Sequence, residues 1–214
     1  MKPTIAIFIH NPYCETDCAL AMAVCFSKEY KVKTIGLEDL TTTFLNTIDV
    51  LAFPGGMGAS DDFHYVFTPE HIKTVQNWVA NGGKYLGVCM GAYWAGPNYF
   101  DLVVDLEVDQ YIAQTTADIV TDGPTVASVI WNSVPHNMYF YDGCAILGED
   151  MSVVSTYANG DAMAAIQANV GMIGCHPESP EWWFTSVGMD AKLYSAEHGE
   201  LMCDFVKTLI NNHE

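Results

Sequence analysis

The sequence contains no arginine. Its only bases are eight lysines against 26 aspartates and glutamates, a formal net charge of -18 over 214 residues. A chain so poor in positive charge is not built for nucleic acid or an anionic membrane surface, because both are bound through basic side chains. The missing guanidinium also removes the fork that often clamps a phosphate or carboxylate through two parallel hydrogen bonds. A small-molecule substrate is therefore expected to be neutral or cationic, or to have its acid group held by backbone N–H groups. Lysine is absent between Lys84 and Lys192, a stretch in which Asp101, Asp105, Glu107, Asp109, Asp118 and Asp122 begin a long acidic series. That series reads first as a solvated face that keeps the protein soluble.

Long apolar runs are missing as well. "MKPTIAIFIHNPYC" is interrupted by His10 and Pro12, too early for a signal-peptide core or a membrane span. Together with an odd number of cysteines, seven, this points to a reducing cytoplasm and free thiols. Cys14 and Cys18 lie four apart, and no second cysteine or histidine pair has zinc spacing. Both are read as structural, with no metal and no cofactor expected. No low-complexity segment or linker divides the chain, and half of it is hydrophobic, so residues 1–214 are expected to form one domain with one sizeable core.

What is present is an alternation of strands and helices. "TIAIFI" (4–9) is a continuous apolar run suited to a strand buried on both faces. A helix is expected over 17–30, capped by Asp17 and with an apolar stripe through Leu20, Ala21, Val24 and Cys25. Strands follow over 31–37 and 48–53. A helix over 68–83 has Thr68 as cap, Pro69 at its first position and Gly82 at its end. "KYLGV" (84–88) is a short strand. These are βαβ units, which make a mostly parallel sheet covered by helices. After residue 97 the texture changes to strand-like pieces over 100–108, 124–131, 152–158 and 162–168, read as strands and hairpins added to the same sheet. Asp105, Glu107 and Asp109 fall on one face of the first, which reads as a solvent face. "AKLYSAEHGELMCDFVKTLINN" (191–212) closes the chain as a helix with a stripe through Leu201, Phe205 and Leu209.

Candidate chemistry gathers at three places. Gly87-Val88-Cys89-Met90-Gly91 has the form glycine, any, nucleophile, any, glycine. A strand-to-helix turn sharp enough to present the central side chain needs small residues two before and two after it. Cys89 would then sit at a helix N-terminus, where the dipole favours a thiolate. A cysteine nucleophile also needs a base, and the base needs a group to orient it. His176 precedes Pro177 and is pushed toward an extended conformation. If Glu178 is extended too, its carboxylate lies beside the His176 ring. His10, His64, His71, His136, His198 and His213 lack this arrangement and are read as surface or packing residues. Donors for a developing oxyanion are available at the N–H of Met90 and at Gly55 or Gly56 in the "PGG" after the third strand.

"FPGG", "YLGVCMGAYWAG" and "GCHPES", in that order, resemble the class I glutamine amidotransferase-like superfamily. The resemblance implies a flavodoxin-like three-layer α/β sandwich, with a mostly parallel central sheet, helices on both faces and added β-hairpins in the second half. It also implies a triad of Cys89, His176 and Glu178, with Gly56 and Met90 as oxyanion donors. The chain is most similar to the branch resembling the N-terminal domain of eukaryotic biotin-protein ligase, through PGG, then Asp62 and Tyr65, then Ala92-Tyr93 after the elbow. Asp62, Tyr65 and Tyr93 are thereby substrate-site candidates. Glutamine-using members place Gln four residues after the nucleophile, where this chain has Tyr93, and an aromatic there alters the pocket that reads glutamine. The expected activity is a cysteine hydrolase or amidase acting on a small amide. Alternatives are a glutamine amidotransferase subunit that supplies ammonia to a separate synthetase, and a binding or regulatory module without turnover. A chaperone or deglycase reading would share the elbow cysteine but leave His-Pro-Glu unexplained.

Overall fold

The computed structural model describes residues 2–10, 15–56 and 60–212; Cys14 and His213 lie outside them. The first half is β1 (Thr4–Phe8), α1 (Thr16–Phe26), β2 (Lys31–Ile35), α2 (Thr42–Leu45), β3 (Val50–Phe53), α3 (Phe63–Val66), α4 (Pro69–Ala80), β4 (Lys84–Val88) and α5 (Met90–Tyr93). The second half is β5 (Glu107–Gln110), β6 (Thr125–Trp131), β7 (Val134–Phe140), β8 (Cys144–Leu147), β9 (Ser152–Tyr157), β10 (Ala162–Gln167), β11 (Val170–Ile173), α6 (Glu181–Ser186) and α7 (Glu197–Asn211). The strands join in a single sheet in the order β2-β1-β3-β4-β11-β10-β9-β6-β7, with β8 pairing β10 and β5. Its first five strands are mutually parallel and the remaining pairings are antiparallel. The expected flavodoxin-like α/β sandwich with later hairpins is thus what the chain adopts.

Strand alternation divides the core. Ile5 and Ile7 of β1 face one apolar cluster with Met22 and Phe26 of α1 and Phe205, Val206 and Leu209 of α7. Ala6 and Phe8 face the other, with Val75, Trp78 and Val79 of α4. Burial on both sides explains why β1, β3, β4 and β11 read as continuous apolar runs rather than alternating ones. α4 starts as its sequence predicts: Thr68 accepts a hydrogen bond from the His71 N–H at 3.3 Å, and Pro69 occupies the first turn.

Several expectations need correction. The cap of α1 is Glu15, which accepts from the Asp17 N–H, and the helix buries Cys18, Ala19, Met22 and Phe26 while Leu20 and Val24 are exposed. This helix is apolar almost all round, so periodicity alone could not choose its inner face. The segment 100–108 is mostly irregular. Asp101 and Asp105 adopt positive φ (53° and 54°), and only Glu107–Gln110 forms a strand. Gln167 holds the irregular part by exchanging hydrogen bonds with the backbone of Val104 at 2.8 and 2.9 Å. β7 was not legible, because Pro135, His136 and Asn137 interrupt its apolar pattern. It is set by a two-residue turn at Asn132-Ser133, both at positive φ as a type I′ hairpin requires. The closing helix begins at Glu197, after a 3-10 turn at Ala191–Leu193. Among the described residues no helix is long and apolar enough to cross a membrane.

His198 on α7 is buried against His136 of β7, with ring centroids 5.7 Å apart. Burial first and His136 second depress its pKa to about 4. The unfolded chain therefore takes up this proton at higher pH than the folded one, and stability falls on acidification from 6.5 toward 4. His198→Leu should flatten the slope of Tm against pH in that window, removing about 2 kcal/mol of acid sensitivity. An unchanged slope would show that other groups carry it.

Candidate active site

β3, β4 and β11 are adjacent, parallel and in register, with Phe53 opposite Gly87 and Ile173 opposite Val88. Their carboxyl ends bring the "PGG" at 54–56, Cys89 and His176 to one edge, where ligands bind in open parallel sheets. Cys89 itself has φ 50° and ψ -110°, a conformation that costs a non-glycine residue on the order of 1–3 kcal/mol. It is held there from both sides. The Cys89 N–H donates to Ile173 O at 2.8 Å, and its carbonyl accepts from Ala92 and Tyr93 at 2.9 and 3.1 Å. A Cβ on Gly87 would stand 2.2 Å from Gly91 O, and one on Gly91 would stand 2.1 Å from Phe53 O. Both glycines are therefore steric necessities of the turn.

The Met90 N–H opens α5 and has no intrahelical acceptor, which leaves it free to point at a ligand. The Gly91 N–H donates to Pro54 O at 3.2 Å and ties the elbow to the "PGG" loop. Gly56 lines the cavity beside the elbow. Gly55 does not line it but makes room for the histidine, since a Cβ there would lie 2.8 Å from His176 Cε1 and 3.0 Å from Cys18 Sγ. α5 has only four residues, so the helix dipole expected to act on Cys89 is small.

His176 is 3 % exposed, and its Nδ1–H donates to Glu178 Oε1 at 2.9 Å. The geometry reaching this contact differs from the extended one expected. Residues 176–179 form a turn in which the Ser179 N–H donates to His176 O at 3.1 Å, and the turn folds the carboxylate back onto the ring. With Nδ1 so engaged, Nε2 is the ring nitrogen left to exchange a proton with Cys89, which lines the same cavity. The Cys89 thiol also lies 3.5 Å from Tyr141 O as a donor. Burial alone would hold His176 neutral, but the Glu178 carboxylate and Cys89 together outweigh it and raise its pKa to about 10. The ring is wedged edge-on between Tyr139 and Trp183, at centroid distances of 6.1 and 5.6 Å. Its backbone N–H donates to Tyr139 O at 2.9 Å, so β7 also fixes the histidine.

These groups open into a cavity of about 850 Å³. Tyr93 lines it, with its hydroxyl donating to Asp142 O at 3.2 Å, and burial pushes its phenol pKa up so that it stays a neutral donor. Asp62 and Tyr65 are not brought to the cavity wall. Asp62 ends the 3-10 turn Ser60–Asp62, and Tyr65 is 81 % exposed. Sequence reasoning missed Cys18, which is buried with its Sγ near His176 and Glu178. It also missed Tyr139, Tyr141 and Asp142, whose segment it did not resolve as a strand. The Trp182-Trp183 pair just after "HPES" was the one visible signal.

Solved structures show the same arrangement of elements. PurLQS from Thermotoga maritima superposes with a TM-score of 0.66 at 12% identity, over 98% of this chain and 100% of that one. A glutamine amidotransferase from the same organism gives 0.66 at 12% identity over 99% of each chain. The fold is that of the glutamine amidotransferases. A glutamine amidotransferase from Methylobacillus flagellatus has it too, at a TM-score of 0.54 and 12% identity over 98% of this chain and 90% of that one. Residues 11–110 match the family model described as "Biotin-protein ligase, N terminal". Both findings bear out the resemblance read from the motifs. The matched segment contains Cys89 and ends before His176 and Glu178. No curated protein sequence matches the chain.

Proposed function

We propose that the protein is a cysteine-dependent amidase acting on a small amide. The observation that carries this reading is the Cys89 elbow opening into one cavity with His176, whose ring is held by Glu178 at 2.9 Å. Cys89 sulfur attacks the amide carbonyl, and the oxyanion is met by the N–H groups of Met90 and Gly56. The tetrahedral adduct collapses to a thioester as the C–N bond breaks, and protonated His176 gives its proton to the departing amine. Neutral His176 then takes a proton from water as that water attacks the thioester, and the second tetrahedral adduct expels the Cys89 sulfur as thiolate, which releases the acid and restores the thiolate–imidazolium pair. Glu178 accepts from Nδ1 throughout, fixing the tautomer and favouring the imidazolium form.

Ammonia supply to a synthetase is the second reading, favoured by the likeness to glutamine amidotransferase structures. Tyr93 on the cavity wall, in the place of the usual glutamine-reading Gln, weighs against it. A panel of primary and secondary amides including glutamine, assayed by amine or ammonia release with wild type and Cys89→Ser, tests both. Turnover of non-glutamine amides that is lost in Cys89→Ser supports the amidase. Cys89-dependent ammonia release from glutamine alone establishes the second reading, and no difference between the two proteins removes both.

A further inference from the structure

Resting on the amidase reading, we propose that this cavity selects amides bearing a protonated amine and no free carboxylate, and rejects those with a free carboxylate, the zwitterion glutamine included. Five carboxylates line the cavity that contains Cys89: Glu15, Asp17, Asp109, Asp122 and Asp142. They come from four segments of the chain. Glu15 and Asp17 sit at the start of α1, Asp109 is on β5, Asp122 precedes β6, and Asp142 follows β7. No lysine lines the cavity, and the chain has no arginine to reach into it. Among the described residues the only ion pair is His176 with Glu178, so none of the five is neutralised by a base. Where an internal partner exists it is weak or uncharged. Gln110 Nε2 donates to Asp142 Oδ1 at 2.5 Å, and Gln114 Nε2 reaches Asp109 Oδ2 at 3.4 Å.

The rest of the wall suits the same cation. Tyr141 and Trp182, each 53 % exposed, stand at the cavity with Tyr93 and Tyr99. Exposed aromatic faces attract an ammonium group through the negative face of the ring. A cleft lined by one sign of charge raises the local concentration of the opposite ion and repels its own. A substrate carboxylate entering here meets that repulsion and finds no lysine or arginine at the wall to bind it, and the protonated His176 there is already paired with Glu178. An overall charge of -18 would by itself favour cations everywhere on the surface, so the proposal is specific to the carboxylates of this wall.

The test uses two thiol reagents of opposite charge, 2-aminoethyl and 2-sulfonatoethyl methanethiosulfonate, with mass spectrometric readout at Cys89. Each transfers its thioalkyl group to the thiolate and releases methanesulfinate, so turnover is not required. The ratio of cationic to anionic rate constants at Cys89 should exceed that for a free small thiol by about tenfold or more. Asp17→Asn with Asp122→Asn, two exposed carboxylates, should cut that excess at least threefold. Glu29→Gln, beyond the far end of α1, should leave it unchanged and reports the global charge. A ratio equal to that of the free thiol, or one that Glu29→Gln moves as much as the double variant does, overturns the proposal. Failure of the amidase reading would show instead as an amide panel indifferent to Cys89→Ser, whatever the labelling ratio. If the panel turns over, amine-bearing amides should lead and carboxylate-bearing ones should lag; the reverse order also overturns it.

Discussion

His176→Ala is expected to slow alkylation of Cys89 by iodoacetamide at neutral pH by about 10²-fold, the low end of what a positioned acid–base group contributes. Glu178→Gln should give an intermediate loss with a signature of its own. Glu178 is the strongest influence holding the buried ring in its protonated form, and without its charge burial prevails and the pKa falls from about 10. The imidazolium is lost as pH rises through its folded-state value. In wild type, alkylation supported by the ion pair should therefore persist across the neutral range, whereas in Glu178→Gln its alkaline limit moves down by at least about one pH unit. The stability linked to this proton follows the same sign: complete below the ordinary 6.5 and lost as pH rises toward 10. If His176→Ala and wild type label Cys89 at equal rates, the ring does not activate the thiol and the proposed mechanism fails.

Gly91→Ala should cost about 3 kcal/mol or more, read as a fall in Tm together with loss of Cys89 selectivity over the other thiols. The added methyl would meet the backbone oxygen of Phe53 at 2.1 Å, a group fixed in the middle of a parallel sheet that no rotamer change can move. Gly87→Ala, facing Gly91 O at 2.2 Å, should behave the same way. Gly82→Ala provides the contrast. Its φ is 100° but nothing lies within 4 Å, so only the backbone strain of about 1 kcal/mol is expected. Comparable effects at positions 82 and 91 would show that the elbow is softer than its close contacts imply.

The elements that could be read from the chain are those whose pattern reflects their own burial or caps. β1, β3 and β4 are buried on both faces and so are apolar throughout, and α4 carries Thr68 and Pro69 at its start. β7 and β8 were not legible, because their pairing depends on a two-residue turn and on partners distant in sequence. α1 was placed correctly but turned the wrong way, since an all-apolar helix does not say which side meets the sheet. That matters for the site, because the same helix carries Glu15, Asp17 and Cys18 into the cavity.

The sequence by itself determined which residues carry the candidate chemistry: Cys89 between two glycines, His176 and Glu178 flanking a proline, and a chain with no guanidinium to bind an acid. Those are facts of residue type and local spacing, and local geometry follows from them. Only the tertiary structure decided where these residues lie relative to one another and what surrounds them. The strand order β3-β4-β11 joins positions almost ninety residues apart, and α1, β5 and the β7–β8 connection add the acidic and aromatic wall. Such neighbours are set by the packing of a whole sheet, and no local pattern along the chain encodes them.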